Sequence, residues 1–207
     1  MGQIFIANPK GGCGKTTIST QLAAYFATHG QRVLLADHDA LKCSSDWLAS
    51  RPDFIAKIES VAASVDELID SDGVDWVVHD MPAAWSLDNV QNILHSHDYV
   101  LVPVLPSPND IKACLRFLMK IYRSGILESG IRVGLIANRT RSNTRYFKIL
   151  NAFLLRLKLP IVTELRDTQN YIRAMDEGLS IFDLPPSKVS RDLEQWAPIF
   201  EWLDKTA

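Results

Sequence analysis

A ten-residue stretch near the start of the chain, residues 8–17, combines glycines, lysines and threonines at spacings suited to binding phosphate. Its glycines allow the backbone to curl until several N–H groups face one concavity. Lys15 can reach the β- and γ-phosphates of a nucleotide, and the hydroxyl of Thr16 is placed to coordinate Mg²⁺. The stretch therefore predicts a nucleotide-binding loop. Its predicted ligand-contacting residues are Lys10, Gly11, Gly12, Cys13, Gly14, Lys15, Thr16 and Thr17.

Such a loop must lie between a strand and a helix. Residues 4–6 form a short β-branched and aromatic run, and residues 16–29 repeat apolar side chains at helical spacing, with Gly30 as the stop signal. The first turn of that helix has unpaired N–H groups and the positive end of the helix dipole, and both point at the loop. We therefore expect strand, glycine-rich turn and helix in succession, as phosphate binding requires.

Acidic residues close two further apolar runs. Residues 32–37 and 76–80 have the composition of buried strands, and they end in Asp37 and Asp80; Asp39 follows two residues after the first. Ligands of open α/β sheets bind at the carboxyl ends of the strands. We therefore expect these three acids to converge on the phosphate-binding loop.

The rest of the chain continues to alternate between strand and helix patterns. This alternation predicts an α/β fold with a doubly wound, mostly parallel sheet and helices on both faces. The length of 207 residues suits one domain, spanning residues 1–207. Further strands are predicted at 54–56, 99–104, 131–137 and 160–162, and further helices at 44–48, 61–69, 111–123, 143–157 and 191–205.

A second lysine, Lys10, precedes the glycines, and Pro9 occupies the position of the first glycine in the general G-x-x-x-x-G-K-[ST] pattern. The resulting K-G-G-x-G-K-T-T resembles the deviant Walker A signature of the ParA/MinD family of ATPases, which have a P-loop NTPase fold. The Asn-Pro before it is similar to the small ParA partition ATPases. The resemblance implies that Lys10 reaches the nucleotide of a partner subunit, so that ATP joins two subunits into a homodimer.

The resemblance also implies roles for residues at the ends of later strands. Asp39 would position the attacking water, Asp37 would support the Mg²⁺ environment, and Asp80, in a D-x-P-A segment, would hold a water on Mg²⁺. Asn138, at the end of another strand, would contact the adenine edge of ATP. This chain has Ala40-Leu41 where the family usually has Pro-Gln. The implied catalytic residues are Lys10, Lys15 and Asp39.

Positive charge is concentrated in one segment, although the net charge of the chain is −2. Residues 112–158 contain eleven Lys and Arg residues and a single acid, Glu128. On the two helices predicted there, the basic side chains fall opposite the apolar ones. Such a face is suited to a polyanion and favours non-specific DNA binding, while an ordinary solvated face has the same pattern. The DNA-binding candidates are Lys112, Arg116, Lys120, Arg145, Lys148 and Arg156.

Other features of the sequence argue against membranes and disulfides. No apolar run approaches the length of a membrane span, and the polar face of the 191–205 helix is mainly acidic, so we expect no membrane partner. Three cysteines without a C-x-x-C pair indicate a reducing compartment, and the expected location is the cytoplasm, in association with the nucleoid.

The leading interpretation is a ParA-type ATPase that uses ATP and Mg²⁺, dimerises, binds DNA and positions a plasmid, a chromosome region or a protein cargo. Its hydrolysis would be stimulated by a ParB-like or cargo-adaptor protein. Two alternatives remain at this point. One is a metabolic P-loop enzyme of the dethiobiotin synthetase type, and the other is a nucleotide-dependent regulatory module.

Overall fold

The computed structural model describes residues 2–83, 93–141, 144–157 and 159–204. Its centre is a seven-stranded sheet in which every recorded pair of neighbouring strands is parallel, in the order β3-β2-β4-β1-β5-β6-β7. The strands are β1 (Gly2–Ile6), β2 (Val33–Asp37), β3 (Glu59–Ala62), β4 (Trp76–Asp80), β5 (Tyr99–Val104), β6 (Arg132–Thr140) and β7 (Ile161–Arg166).

Helices cover both faces of this sheet, which confirms the predicted doubly wound α/β fold. One apolar cluster joins α1 and the C-terminal helix to β1 and β2, and a second joins α3 and α4 to β5 and β6. The described helices are α1 (Lys15–Thr28), α2 (Cys43–Ala49), α3 (Pro108–Arg123), α4 (Arg145–Leu154), α5 (Gln169–Asp176) and α6 (Pro186–Asp204). Short 3₁₀ turns lie at Ile126–Ser129 and Ile181–Asp183.

Strands β2 and β5 are buried along their whole length, which explains their uninterrupted apolar sequences. Parallel pairing brings the carboxyl ends of the central strands to one edge. Asp80 lies opposite Asp37 on one side and opposite Ile6, the last residue of β1, on the other. The loop after β1 therefore opens beside both acids, as expected.

The segment between α2 and β4 differs from the prediction. The strand expected at 54–56 and the helix expected at 61–69 are both wrong, since residues 54–56 and 63–69 form neither strand nor helix. Strand β3 forms between them and pairs with β2 through Leu34–Glu59 and Asp37–Ala62. Apolar residues at 61, 65, 68 and 69 imitate helical spacing. Pairing with β2 outweighs this local pattern, since β-structure depends on its neighbours more than on its own sequence.

Other predicted bounds shift by a few residues. Helix α6 begins at Pro186, earlier than expected, and α4 ends at Leu154, so that Arg156 lies in the following turn. The predicted helix ends at 143 and 205 lie outside the described residues. Among the residues that the structure describes, no helix is both long enough and apolar enough to span a bilayer.

Candidate nucleotide-binding site

The loop between β1 and α1 is anchored by a buried asparagine, Asn8, to which the sequence assigned no structural role. The side chain of Asn8 donates from Nδ2 to the carbonyl of Pro103 in β5 at 2.7 Å, and its Oδ1 accepts from the backbone N–H of Lys10 at 2.9 Å. Asn8 is fully buried. It therefore joins the start of the loop to the neighbouring strand and fixes the direction in which the loop leaves the sheet.

Two loop glycines adopt backbone conformations that other residues rarely adopt. Gly12 and Gly14 have φ values of 76° and 96°. A Cβ at Gly14 would also lie 2.3 Å from Nδ2 of Asn138. A side chain at position 14 would thus be strained and would collide with the end of β6, so the glycine is a structural requirement.

Asn138 is tied to the loop itself. Its Nδ2 donates to the carbonyl of Cys13 at 2.8 Å, and its Oδ1 accepts from the N–H of Arg139 at 2.9 Å. Both amide heavy atoms therefore already have protein partners, although Nδ2 retains a second hydrogen. Asn138 stabilises the loop in this structure, and its contact with a base stays a prediction.

The two lysines of the loop occupy different environments. Lys15 is buried, and its Nζ donates to the carbonyl of Lys10 at 3.3 Å; the thiol of Cys13 donates to the same carbonyl at 3.2 Å. The amine of Lys10 donates to the carbonyl of Gly11 at 3.4 Å and is partly exposed. Lys15 is thus held within the loop, while the Lys10 amine lies where a second molecule can reach it.

Asp80 is almost completely buried at the end of β4, with 1% of its surface exposed. Its Oδ1 accepts from the hydroxyl of Ser19 at 3.2 Å, whereas Oδ2 has no hydrogen-bond partner among the described residues. Burial raises the pKa of Asp80 to about 6, the charge of nearby Asp37 adds to this rise, and the hydroxyl of Thr16 opposes it. A buried carboxylate of this kind is stabilised by a cation.

Asp37 has the opposite environment, although it too is buried. Its Oδ1 accepts from the N–H of Asp39 at 3.1 Å, and its Oδ2 accepts from the N–H and the hydroxyl of Ser45 at 2.9 and 2.8 Å. Burial alone would raise the pKa of Asp37, but the hydrogen bonds from Ser45 and Asp39 and the nearby hydroxyl of Ser44 together outweigh it, and the pKa is lowered. Asp37 therefore links the end of β2 to the start of α2.

Asp39 lies at the mouth of the site. It is half-buried, and its Oδ1 accepts from the N–H of Leu41 at 3.0 Å. The carboxylate is therefore oriented by the backbone that follows it, even though this chain lacks Pro-Gln at residues 40–41. Its role in positioning water stays a prediction.

The donors at this edge of the sheet suit Mg²⁺. They are hard oxygen atoms, which Mg²⁺ prefers, and the orphaned Oδ2 of Asp80 is the buried acceptor that an ion or its water would satisfy. Thr16 and Asp80 are the residues that would hold the ion, with Asp37 supporting their surroundings. When bound, the ion neutralises charge on the phosphate oxygens.

A small cavity of about 90 Å³ adjoins the loop on the β6–β7 side. Thr17 and Asn138 line it together with the turn after β7, residues 166–168, and with Tyr171. The sequence assigned no residue of this turn to the site. The residues with a place at the site that sequence reasoning missed are Asn8, Ser19, Ser44, Ser45 and the turn 166–168.

The predicted basic residues form one surface, which we call the α3–α4 basic surface: Lys112, Arg116, Lys120, Arg145, Lys148 and Arg156. All six are exposed, and α3 and α4 contact each other on the same face of the sheet. Exposed apolar side chains are interleaved with both rows, among them Leu115 and Met119 on α3 and Tyr146 and Ile149 on α4. The structure therefore places the two basic rows on neighbouring helices on one face of the sheet.

Comparison with known proteins places this site in a family. Residues 4–181 match the family model described as "CobQ/CobB/MinD/ParA nucleotide binding domain". The chain is 31% identical to the maintenance of carboxysome distribution protein A of Halothiobacillus neapolitanus, over 86% of this chain and 86% of that protein.

Solved structures share the fold. A plasmid partition protein of Borrelia burgdorferi bound to AMPPNP has a TM-score of 0.73 at 17% identity, covering 97% of this chain and 98% of that one. The septum site-determining protein MinD of Pyrococcus horikoshii, complexed with Mg-ADP, has a TM-score of 0.73 at 18% identity, covering 99% and 96%. Because the family model spans most of the chain and the carboxysome relative aligns over most of it, this chain belongs to the CobQ/CobB/MinD/ParA nucleotide-binding family, among its ParA/MinD ATPases, whose cofactors are ATP and Mg²⁺.

Proposed function

We propose that this protein is a ParA-type ATPase that dimerises on binding ATP, binds DNA without sequence preference and positions a cargo. A ParB-like or cargo-adaptor protein stimulates its ATP hydrolysis. The observation that carries the proposal is the pair of lysines on one loop, with Lys15 buried inside it and the amine of Lys10 at its surface. A single subunit needs only Lys15 for its own phosphates, so a second accessible lysine suits a nucleotide shared between two subunits.

The residues of one subunit divide the work of hydrolysis between them. Backbone N–H groups of the loop and the amine of Lys15 bind and orient the phosphates. The half-buried carboxylate of Asp39 orients the attacking water from the mouth of the site. Asp37 and Ser45 hold the segment that contains Asp39 in place.

The cargo is the part of the proposal that depends on the relatives. Similarity over most of the chain to a carboxysome distribution protein favours a protein assembly as cargo, and the similarity to a plasmid partition protein is limited to the fold. The α3–α4 basic surface supports DNA binding, and hence association with the nucleoid. A metabolic enzyme of the dethiobiotin synthetase type would have no use for the surface lysine Lys10 or for this basic surface.

The experiment that tests the proposal measures association state and hydrolysis together. With ATP and Mg²⁺, we expect the wild type to be dimeric by light scattering and to hydrolyse ATP. Lys15→Ala should lose ATP binding or hydrolysis, because the positive charge that contacts the β- and γ-phosphates is gone. Lys10→Ala should bind ATP as a monomer. Asp39→Ala should accumulate as an ATP-bound dimer.

A matched control is Lys57→Ala, since Lys57 is an exposed lysine away from the loop, and it should behave as wild type. Equal association states for Lys10→Ala and Asp39→Ala in ATP would overturn the division of roles. Wild-type hydrolysis by Lys15→Ala would overturn the nucleotide site itself.

A further inference from the structure

Ser44, in the first turn of α2, is completely buried with 0% of its surface exposed, and its hydroxyl has no hydrogen-bond partner among the described residues. It nevertheless lies close enough to the carboxyls of Asp37 and Asp80 to lower the pKa of both. Buried hydroxyls normally have a partner, because leaving one without costs free energy. An orphaned hydroxyl between two carboxylates therefore needs an explanation.

The neighbouring serines show the contrast. Ser45 donates to Asp37 at 2.8 Å, and Ser19 donates to Asp80 at 3.2 Å, so each already has a structural partner. Ser44 does not, and neither does the Oδ2 atom of Asp80. Two polar atoms are thus left over in the same place, at the edge of the sheet whose oxygen donors suit Mg²⁺.

We infer that the hydroxyl of Ser44 positions a water ligand of the Mg²⁺ ion that accompanies the bound nucleotide, acting together with Asp80. A water on Mg²⁺ is a strong donor, and the Ser44 oxygen can accept one of its hydrogens while Asp80 accepts another. Ser44 is then a positioning residue that acts through water rather than a direct ligand. The inference rests on the proposed function only for the binding of a nucleotide with Mg²⁺; it requires neither a dimer nor DNA.

The test measures nucleotide affinity rather than turnover. The dissociation constant for ADP is determined by titration calorimetry in Mg²⁺ and again in EDTA, for wild type and Ser44→Ala. We expect Mg²⁺ to tighten ADP binding by the wild type. In Ser44→Ala the ratio of ADP affinity in Mg²⁺ to ADP affinity in EDTA should be about tenfold smaller than in the wild type. Groups that orient metal ligands typically contribute 10- to 100-fold to metal affinity. Its affinity in EDTA should equal that of the wild type.

Ser50→Ala is the matched control, because it removes a hydroxyl from the far end of the same helix, where Ser50 donates to the carbonyl of Trp47. It should keep the Mg²⁺ gain. Ser44→Ala should unfold at a somewhat lower temperature even without Mg²⁺, because its hydroxyl favours the charged forms of Asp37 and Asp80. The decisive readout is therefore the Mg²⁺ dependence: an ADP affinity that falls equally in Mg²⁺ and in EDTA would identify the hydroxyl as structural and overturn the inference.

The remaining outcomes separate this inference from the proposed function. A full Mg²⁺ gain in Ser44→Ala overturns the role of Ser44 alone. Equal losses in Ser44→Ala and Ser50→Ala would indicate a general disturbance of α2 and also overturn it. If the ADP affinity of the wild type does not depend on Mg²⁺, both the ion site and the role of Ser44 are overturned. If the wild type binds no ADP, the proposed function itself is overturned.

Discussion

Asp37 and Asp80 end neighbouring strands opposite each other, yet their pKa values move in opposite directions. Asp37 accepts three hydrogen bonds, from Ser45 and Asp39, so its charge is stabilised by the protein alone. Asp80 has one accepted bond and an orphaned oxygen. Both carboxylate oxygens of Asp37 therefore have hydrogen-bond partners without a ligand, while Oδ2 of Asp80 has none among the described residues.

This difference predicts that Asp80→Asn stabilises the protein in the absence of Mg²⁺ and nucleotide. The folded-state pKa of Asp80 is about 6, above its ordinary value of 3.8, so the folded protein carries an unfavourable charge at pH 7. Removing it should raise the free energy of unfolding by on the order of 1–3 kcal/mol. Because wild-type Asp80 becomes protonated as the pH falls through 6, the difference between the two proteins should be largest above pH 6 and vanish near pH 4. Urea unfolding at several pH values measures it.

Asp37→Asn provides the control, and it should destabilise at pH 7, because the carboxylate that accepts from Ser45 and Asp39 is lost. An Asp80→Asn protein that is less stable than wild type at pH 7 would show that the carboxylate is satisfied in the folded state. A stability difference that is independent of pH would do the same.

Sequence reasoning predicted the residues of the loop because their role is local. Gly14, Lys15 and Thr16 are consecutive, and their chemistry follows from the strand and helix beside them. The roles of Ser44 and Asn138 depend on what lies across the site from them, and no spacing in the sequence contains that information. Asn138 was predicted to face a base, and its amide in fact also holds the loop.

At the scale of elements, the position of α2 is set by its attachment to the chain between α5 and α6. The indole of Trp47 donates to the carbonyl of Leu179 at 3.1 Å, and Arg51 forms an almost completely buried ion pair with Asp183 at 2.9 Å. Gly178 approaches so closely that a Cβ there would lie 2.3 Å from the carbonyl oxygen of Ser50. This attachment fixes the helix that carries Ser44.

Gly178→Ala should therefore destabilise the protein and disturb the site together. Its φ is +67°, and the new methyl group would meet backbone rather than a movable side chain. We expect a loss of at least about 2 kcal/mol in the free energy of unfolding, the sum of left-handed strain and displacement of α2. Urea unfolding measures the stability, and calorimetric titration with Mg-ADP measures the site.

Gly30→Ala is the matched control, since φ is +78° there and no atom lies within 4 Å of the new Cβ. It should cost only the strain of the left-handed backbone, about 1 kcal/mol. If the two variants lose the same stability, the close approach at Gly178 contributes nothing.

The secondary structure predicted from the sequence is wrong where pairing with a distant strand determines the conformation of the chain. The apolar spacing of residues 61–69 indicated a helix, but β3 forms there because β2 offers it a partner edge. Strands β2 and β5 were predicted correctly, since burial on both faces leaves them uniformly apolar.

At the scale of the whole molecule, charge is separated between regions of the surface. The α3–α4 basic surface lies on one face of the sheet, and the C-terminal helix α6 packs on the opposite face with its acidic residues. In the proposed dimer, two copies of the basic surface belong to one particle. Phosphate contacts would then add across subunits, which makes DNA affinity depend on dimerisation.

Both basic rows alternate with exposed apolar side chains, Leu115, Met119 and Tyr122 on α3 and Tyr146, Ile149 and Leu155 along α4 and the turn after it. The α4 row is the better candidate for DNA, because α3 lies beside the nucleotide-binding loop, where Asp110 and Cys114 are near Cys13. We expect the triple charge reversal of Arg145, Lys148 and Arg156 to Glu to abolish DNA binding while ATP-dependent dimerisation persists. Wild-type binding should need ATP, ignore sequence and weaken with salt, with a log–log slope of about −0.9 for each phosphate neutralised. Gel-shift titrations at several salt concentrations measure both the affinity and the slope.

Arg173, Lys188 and Arg191 supply the matched control, since they are exposed basic residues outside this surface and their reversal to Glu changes the net charge by the same amount. Because only contacts with phosphate release counterions, the control should keep the wild-type salt slope, and its affinity should fall only through the altered net charge. Equal losses in the two triple variants would mean that net charge alone governs binding. Wild-type affinity in the Arg145, Lys148 and Arg156 variant would make the α4 row an ordinary solvated face and leave the α3 row, tested by reversing Lys112, Arg116 and Lys120, as the remaining candidate.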